Sequence, residues 1–157
     1  MRAYVYVILL VVVMYIYSYY MFPKSVTILQ TSANRFTTTM LLDKQPVVVE
    51  ESPDFFDTQM SSWYTHKYVS YNIDIWHKNK FKYLGLHSVS PCELLACPGS
   101  PPPPDDPSDH VSIIAFKMRP GQTVFLPFHW SYCVAQQTTD QPLKVVGVHD
   151  LVTFFLP

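Results

Sequence analysis

The chain opens with a block in which hydrophobicity has no period. From Ala3 to Phe22 no residue carries a charge, and Ser18 alone is markedly polar. Twenty residues at about 1.5 Å each make about 30 Å, the thickness of a bilayer's hydrocarbon core. Tyrosines crowd toward both ends of the block (Tyr4 and Tyr6; Tyr15, Tyr17, Tyr19 and Tyr20), where a ring with a polar tip favours the membrane interface. The pattern predicts an uncleaved transmembrane signal-anchor helix over residues 1–23, carrying a domain over 24–157. Two other uses of such a block are a buried hydrophobic strand pair and a cleaved signal peptide. The second needs small residues at its cleavage site, and Tyr19-Tyr20-Met21-Phe22-Pro23 supplies none. Arg2 and the amino group outweigh Lys24, so the positive-inside bias places the domain on the non-cytoplasmic side of a single-pass protein.

Past Pro23 the pattern shortens to period two and breaks often. Val26–Thr31 and Phe36–Leu42, rich in threonine and β-branched residues, read as short strands around a Ser32-Ala33-Asn34 turn. Val47-Val48-Val49 reads as a buried strand. Ser52-Pro53-Asp54 is a helix start, with a capping hydroxyl, a proline at the first helical position and a carboxylate near the positive end of the dipole. Phe56, Met60 and Trp63 then recur at i, i+4 and i+7, the apolar face of a short helix laid over a sheet. Tyr68 to Trp76 alternates, with Val69, Tyr71, Ile73 and Ile75 on one face; Asn72 and Asp74 on the other are solvated or meet a ligand. Phe81–Val89 is a further strand in which Gly85 marks a bulge or a close approach. Residues 98–109 hold six prolines and form an extended loop that cannot enter a sheet. His110–Met118 is a strand. Pro120-Gly121 is a tight turn, because proline presets φ at its second position and glycine accepts positive φ at its third. Gln122–Leu126 leads to a break at Pro127, which has no ladder donor. The chain turns at His129-Trp130, re-enters through Tyr132–Val134, and closes the sheet with Leu143–Leu156.

The segment Leu126-Pro127-Phe128-His129-Trp130-Ser131-Tyr132-Cys133-Val134, following a Pro-Gly turn, resembles the second sequence motif of cupin-like jelly rolls of the JmjC-like branch. Lys44-Gln45-Pro46-Val47-Val48-Val49 resembles the opening strand of the same family. The resemblance covers roughly residues 43–152. It implies a mainly β fold, a small cupin-like double-stranded β-helix (jelly roll), preceded here by one transmembrane helix. Iron- and 2-oxoglutarate-dependent members hold Fe(II) with His-x-Asp or His-x-Glu on one strand and a distant second histidine. The resemblance puts that second histidine at Tyr132. None of the six histidines begins a His-x-Asp or His-x-Glu. His129, three residues before the ligand position, reaches a metal only if the register slips; otherwise its ring packs on Trp130 or Phe128.

Composition narrows the rest. A net charge of −1 with no basic stripe argues against nucleic acid as a partner. Three cysteines, Cys92, Cys97 and Cys133, are too few for a disulfide framework. Cys92 and Cys97 are either free thiols or a loop-closing pair, and two ligands do not make a zinc site. No glycine-rich phosphate loop, nucleophile elbow or spaced Cys/His pair occurs. The expectation is a catalytically degenerate cupin-like module without cofactor, structural or interacting in role, held in a membrane and binding a protein partner. Small membrane proteins of this layout resemble ones encoded by large DNA viruses. The alternative is a membrane-tethered oxygenase with an atypical metal site, for which His129 and Tyr132 are the candidate ligands. Pro101, Pro102, Pro103 and Pro104 are the candidate docking residues, since a polyproline segment fits an aromatic groove; a stiff surface excursion is the plainer use of such a loop.

Overall fold

The computed structural model describes residues 2–21, 26–50, 54–63, 65–101, 113–137 and 143–155. After helix α1 (Arg2–Tyr20) come ten strands: β1 (Leu29–Ser32), β2 (Val47–Glu50), β3 (His66–Tyr68), β4 (His77–Lys78), β5 (Tyr83–Ser88), β6 (Cys92–Pro98), β7 (Ile114–Met118), β8 (Thr123–Pro127), β9 (Trp130–Gln137) and β10 (Leu143–Val148). Helix α2 (Phe55–Ser61) lies between β2 and β3, and α3 (Leu151–Phe155) follows β10. The strands form a six-stranded sheet, β1-β2-β8-β5-β10-β3, and a four-stranded sheet, β4-β9-β6-β7. The fold is mainly β.

Pairing in the last eight strands is nested. β6 pairs with β7, β5 with β8, β4 with β9 and β3 with β10, all antiparallel. The segment from β3 to β10 is thus one long hairpin, folded so that alternate pairs fall in opposite sheets.

Two apolar layers follow from the alternation of side chains along a strand. Between the sheets lie Leu84, Leu86, Leu94, Val124, Leu126, Trp130, Tyr132 and Val134. On the outer face of the larger sheet, Val47, Val49, Phe125, Val146 and Val148 pack under Phe36, Leu41, Phe55, Phe56 and Met60. The central strands of that sheet are covered on both faces, which is why they read as unbroken apolar runs. Phe125 shows the second layer well. Its ring stacks on Phe36 at 5.2 Å and on Trp63 at 5.8 Å, spacings at which aromatic pairs attract beyond the area they bury. Gly85 permits the close approach of α2: a Cβ there would lie 2.5 Å from Met60 Cε and 2.9 Å from Phe56.

The structure bears out a helix carrying Phe56 and Met60, which ends at Ser61 so that Trp63 packs on the same layer from just beyond it; residues 51–53 of its expected start lie outside the described residues. The Pro120-Gly121 turn is also present, with Gly121 at φ 87° and the Gln122 amide donating to Arg119 O. Other expectations are corrected. Phe36–Leu42 is not a strand; 3-10 turns at Ala33–Arg35 and Thr38–Asp43 take its place, and bury Leu41 against the sheet. The alternating stretch 68–76 is extended only as far as Tyr68. Asp74 adopts a left-handed φ of 57°, which ends any regular strand there, so only Val69 and Tyr71 of the apolar set reach the core. Cys92–Pro98, to which the sequence pattern assigns no element, is β6, so the proline-rich loop starts one residue later than expected. The closing strand stops at Val148, because Asp150 and Thr153 start a helix: Asp150 Oδ1 accepts the Thr153 N–H and Thr153 Oγ1 accepts the Asp150 N–H, each at 3.0 Å. This reciprocal pair has the logic of a capping box. Cys92 and Cys97 are free; an odd spacing along one strand points them to opposite faces.

Of the transmembrane expectation, the described residues support the helix and not its crossing of a membrane. A helix does form over Arg2–Tyr20, but among the described residues no helix is long and apolar enough to cross a membrane. The uninterrupted aliphatic run, Val7 to Met14, is only about 12 Å of helix at 1.5 Å per residue, and tyrosines interrupt it on both sides. Every described side chain of α1 except Ile16 is exposed. At its C-terminal end α1 meets the β-domain, where Lys44 Nζ donates to Met21 O at 3.2 Å.

Candidate functional site

Tyr132, the position the resemblance assigns to a distal metal ligand, sits on β9 and is 2% exposed. The strand opposite is β4, and the residue facing Tyr132 is His77, their ring centroids 5.5 Å apart. β4 continues into Asn79, so the local sequence is His77-Lys78-Asn79. Asn79 takes the place that a carboxylate would hold in a His-x-Asp or His-x-Glu.

Asn79 is 1% exposed and spends its groups on the backbone around it. Its Nδ2 donates to Leu126 O at 3.1 Å and to Pro127 O at 2.7 Å. Its Oδ1 accepts the Phe81 N–H at 2.9 Å. Its own N–H donates to Trp130 O, and its carbonyl accepts the His129 N–H. The Asn79 side chain therefore clamps the β8–β9 turn, in which His129 holds a left-handed φ of 65°. A carboxylate cannot do this, having no hydrogen to give to the two carbonyls.

His77 is likewise engaged. The Asn72 N–H donates to its Nε2 at 3.0 Å, and Asn72 O lies 3.2 Å from the same atom. Burial, with Tyr71 adding to it, pushes the Tyr132 phenol up to about 12, so it stays protonated at neutral pH. Among the described residues no three His, Cys, Asp or Glu side chains converge as a metal site needs. An Fe(II) site of two imidazoles and a carboxylate does not fit these residues.

His77 and Tyr132 instead line a cavity of about 470 Å³ with Lys67, Lys78, Lys80 and Trp76. His129 is not part of that lining. Its ring packs on Phe128, centroids 4.0 Å apart, and burial followed by the Lys78 charge lowers its pKa. The structure thus separates the two residues that the sequence offered as metal ligands. Asp74 donates its backbone N–H to Val134 O and does not line the cavity. Pro101 is half-buried; Pro102, Pro103 and Pro104 lie outside the described residues.

The sequence reading missed His77 and Asn79. Their signal was the spacing alone, visible only if an amide is counted in the carboxylate's place.

Comparison with known proteins finds no matching family, no similar curated protein and no similar solved structure.

Proposed function

We propose that this chain is a membrane-anchored interaction module built on a jelly roll in which the metal chemistry of cupin-like enzymes has been given up. Counted from β3, the strands pair first with last and fourth with fifth, an order that supports an eight-stranded jelly-roll reading. The observation that carries the reading is Asn79. It is the third residue of His77-Lys78-Asn79, the place a carboxylate takes in a His-x-Asp or His-x-Glu, and its amide is committed to closing the β8–β9 turn. α1 supplies the anchor. A helix apolar on all sides and exposed on all sides has no reason to persist in water, whereas membrane hydrocarbon would cover its aliphatic run. The Pro101–Pro104 segment leaves β6 as the candidate contact for a protein partner.

The test is metal content of the full chain purified in mild detergent. The expected result is no stoichiometric iron. About one iron per chain, lost on His77→Ala or Tyr132→Phe, would overturn the proposal in favour of an oxygenase with an atypical site. Extraction with alkaline carbonate tests the anchor: the chain should stay in the membrane pellet.

A further inference from the structure

Beyond the anchor itself, one end of the β-domain has the chemistry of a surface that rests on a membrane. This end gathers the start of β5, the end of β8 and the end of β10. Three hollows open there. One, beneath α1, is lined by Tyr15, Ser18, Leu42, Lys44, Lys82 and Phe128, among others. A second lies beside α3 and shares Leu41, Lys82 and Tyr83 with the first. The third is the His77–Tyr132 cavity, joined to the second through His149. α1 and α3 therefore flank one ridge, Leu41–Lys82–Tyr83, at the point where α1 leaves the domain.

Two properties coincide at this end. The first is uncovered apolar surface: Leu42 is 66% exposed, Leu151 75%, Phe154 64% and Phe155 72%. α3 shows these side chains from a fixed frame. Its first turn is closed by the reciprocal Asp150–Thr153 bonds, Thr153 is fully buried, and Asp150 Oδ2 is held by Lys82 Nζ at 3.3 Å. The second is charge. Lys44, Lys67, Lys78, Lys80 and Lys82 all line these hollows, five of the eleven basic residues in the chain. The one carboxylate among the described lining residues is Asp150, which Lys82 already holds.

Aromatic side chains presented on a short rigid helix, beside hollows lined by Lys44, Lys67, Lys78 and Lys80 and next to the exit of an apolar helix, match an anionic lipid surface. The rings enter the headgroup–acyl boundary and the ammonium groups meet the phosphates. We infer that α3 is a second membrane contact. With these lysines, it seats the β-domain flat on an anionic bilayer instead of letting it hang free on the chain after α1. This rests on α1 being a membrane anchor.

The test uses the full chain in vesicles of phosphatidylcholine with phosphatidylglycerol. A single Phe154→Cys substitution carries an environment-sensitive fluorophore; the native cysteines are buried. Val89→Cys, half exposed beyond the opposite end of β5 and about 20 Å from Tyr83 at about 3.3 Å per residue, is the control. The label at 154 should lose most of its fluorescence to headgroup-nitroxide lipids, and the label at 89 should not. Replacing Lys67, Lys78 and Lys80 with glutamine should reduce quenching at 154. Equal quenching at 154 and 89, in a chain that pellets with the vesicles, overturns this inference alone. A chain that does not pellet with them overturns the anchor on which it rests. Quenching at 154 that is unchanged by the lysine substitutions and equal in pure phosphatidylcholine overturns the assignment to an anionic surface.

Discussion

The Asn79 clamp and the α3 rim lie at the same end of the β-domain and use their side chains in opposite ways. Around Asn79 each side-chain hydrogen-bonding atom is turned inward and satisfied by backbone, Nδ2 by Leu126 and Pro127 leading into the β8–β9 turn and Oδ1 by Phe81. On α3 the cap is satisfied just as completely, yet the three large side chains it positions face outward with nothing over them. The contrast separates structure from function more reliably than residue type does. A polar group that looks catalytic in sequence is structural once its bonds are spent. An apolar group that looks like core is available for binding once the fold leaves it bare.

The most severe way to break this comparison is Asn79→Asp, which turns His77-Lys78-Asn79 into a His-x-Asp sequence. It also sets a carboxylate against the Leu126 and Pro127 carbonyls, without the two hydrogens they accept. An uncompensated buried charge costs about 3–5 kcal/mol, so thermal unfolding of the full chain in detergent should shift sharply downward. An unchanged midpoint would mean that the clamp does not hold the turn.

His87 is an intermediate case, a polar side chain 5% exposed within an apolar layer. Its Nδ1 lies 3.0 Å from Thr123 Oγ1, and its ring stacks on Phe56 at 5.2 Å. Burial, aided by the Lys144 charge and opposed by Asp57, lowers its pKa from the usual 6.5. The folded state thus binds a proton less readily than the unfolded chain. Stability should be constant above about pH 6.5, fall as the pH drops below that value, and level off once the folded-state pKa is passed. His87→Gln should flatten the slope between pH 7.5 and pH 5. If the slope survives, another group sets it.

The smallest expected effect sharpens the other side. Serine at Leu151, Phe154 and Phe155 should change the unfolding free energy by no more than about 0.5 kcal/mol per site, as for other exposed positions. A loss comparable to that of Asn79→Asp would show that α3 belongs to the core.

Much of the sandwich was legible in the residues. Phe56, Met60 and Trp63 gave α2 its period, and Pro120-Gly121 gave the turn before β8. What failed did so for local reasons. Tyr68–Trp76 alternates well, but period two does not reveal that Asp74 turns left-handed. Phe36–Leu42 has a strand's composition, and it is the sheet beneath, needing Leu41 as cover, that makes it 3-10. β6 was hidden because Cys92 and Cys97 stood out only as a possible thiol pair, and the proline-rich segment follows directly. The aliphatic run in Leu143–Leu156 masked Asp150-x-x-Thr153, a helix start that the sequence does contain. The candidate site was half visible: Tyr132 could be placed by motif, whereas its neighbour His77 lies 55 positions earlier and only the pairing of β4 with β9 brings them together.

Nested pairing also sets an order of events during synthesis. β6 and β7 can meet early, but β3 has no partner until β10 has left the ribosome, and β2 waits for β8. Non-local pairings of this kind fold slowly, and their unpaired edges are open to aggregation meanwhile. If α1 enters the membrane first, the remaining chain completes its sheets tethered beside the bilayer, spaced from its sibling chains while those edges are bare.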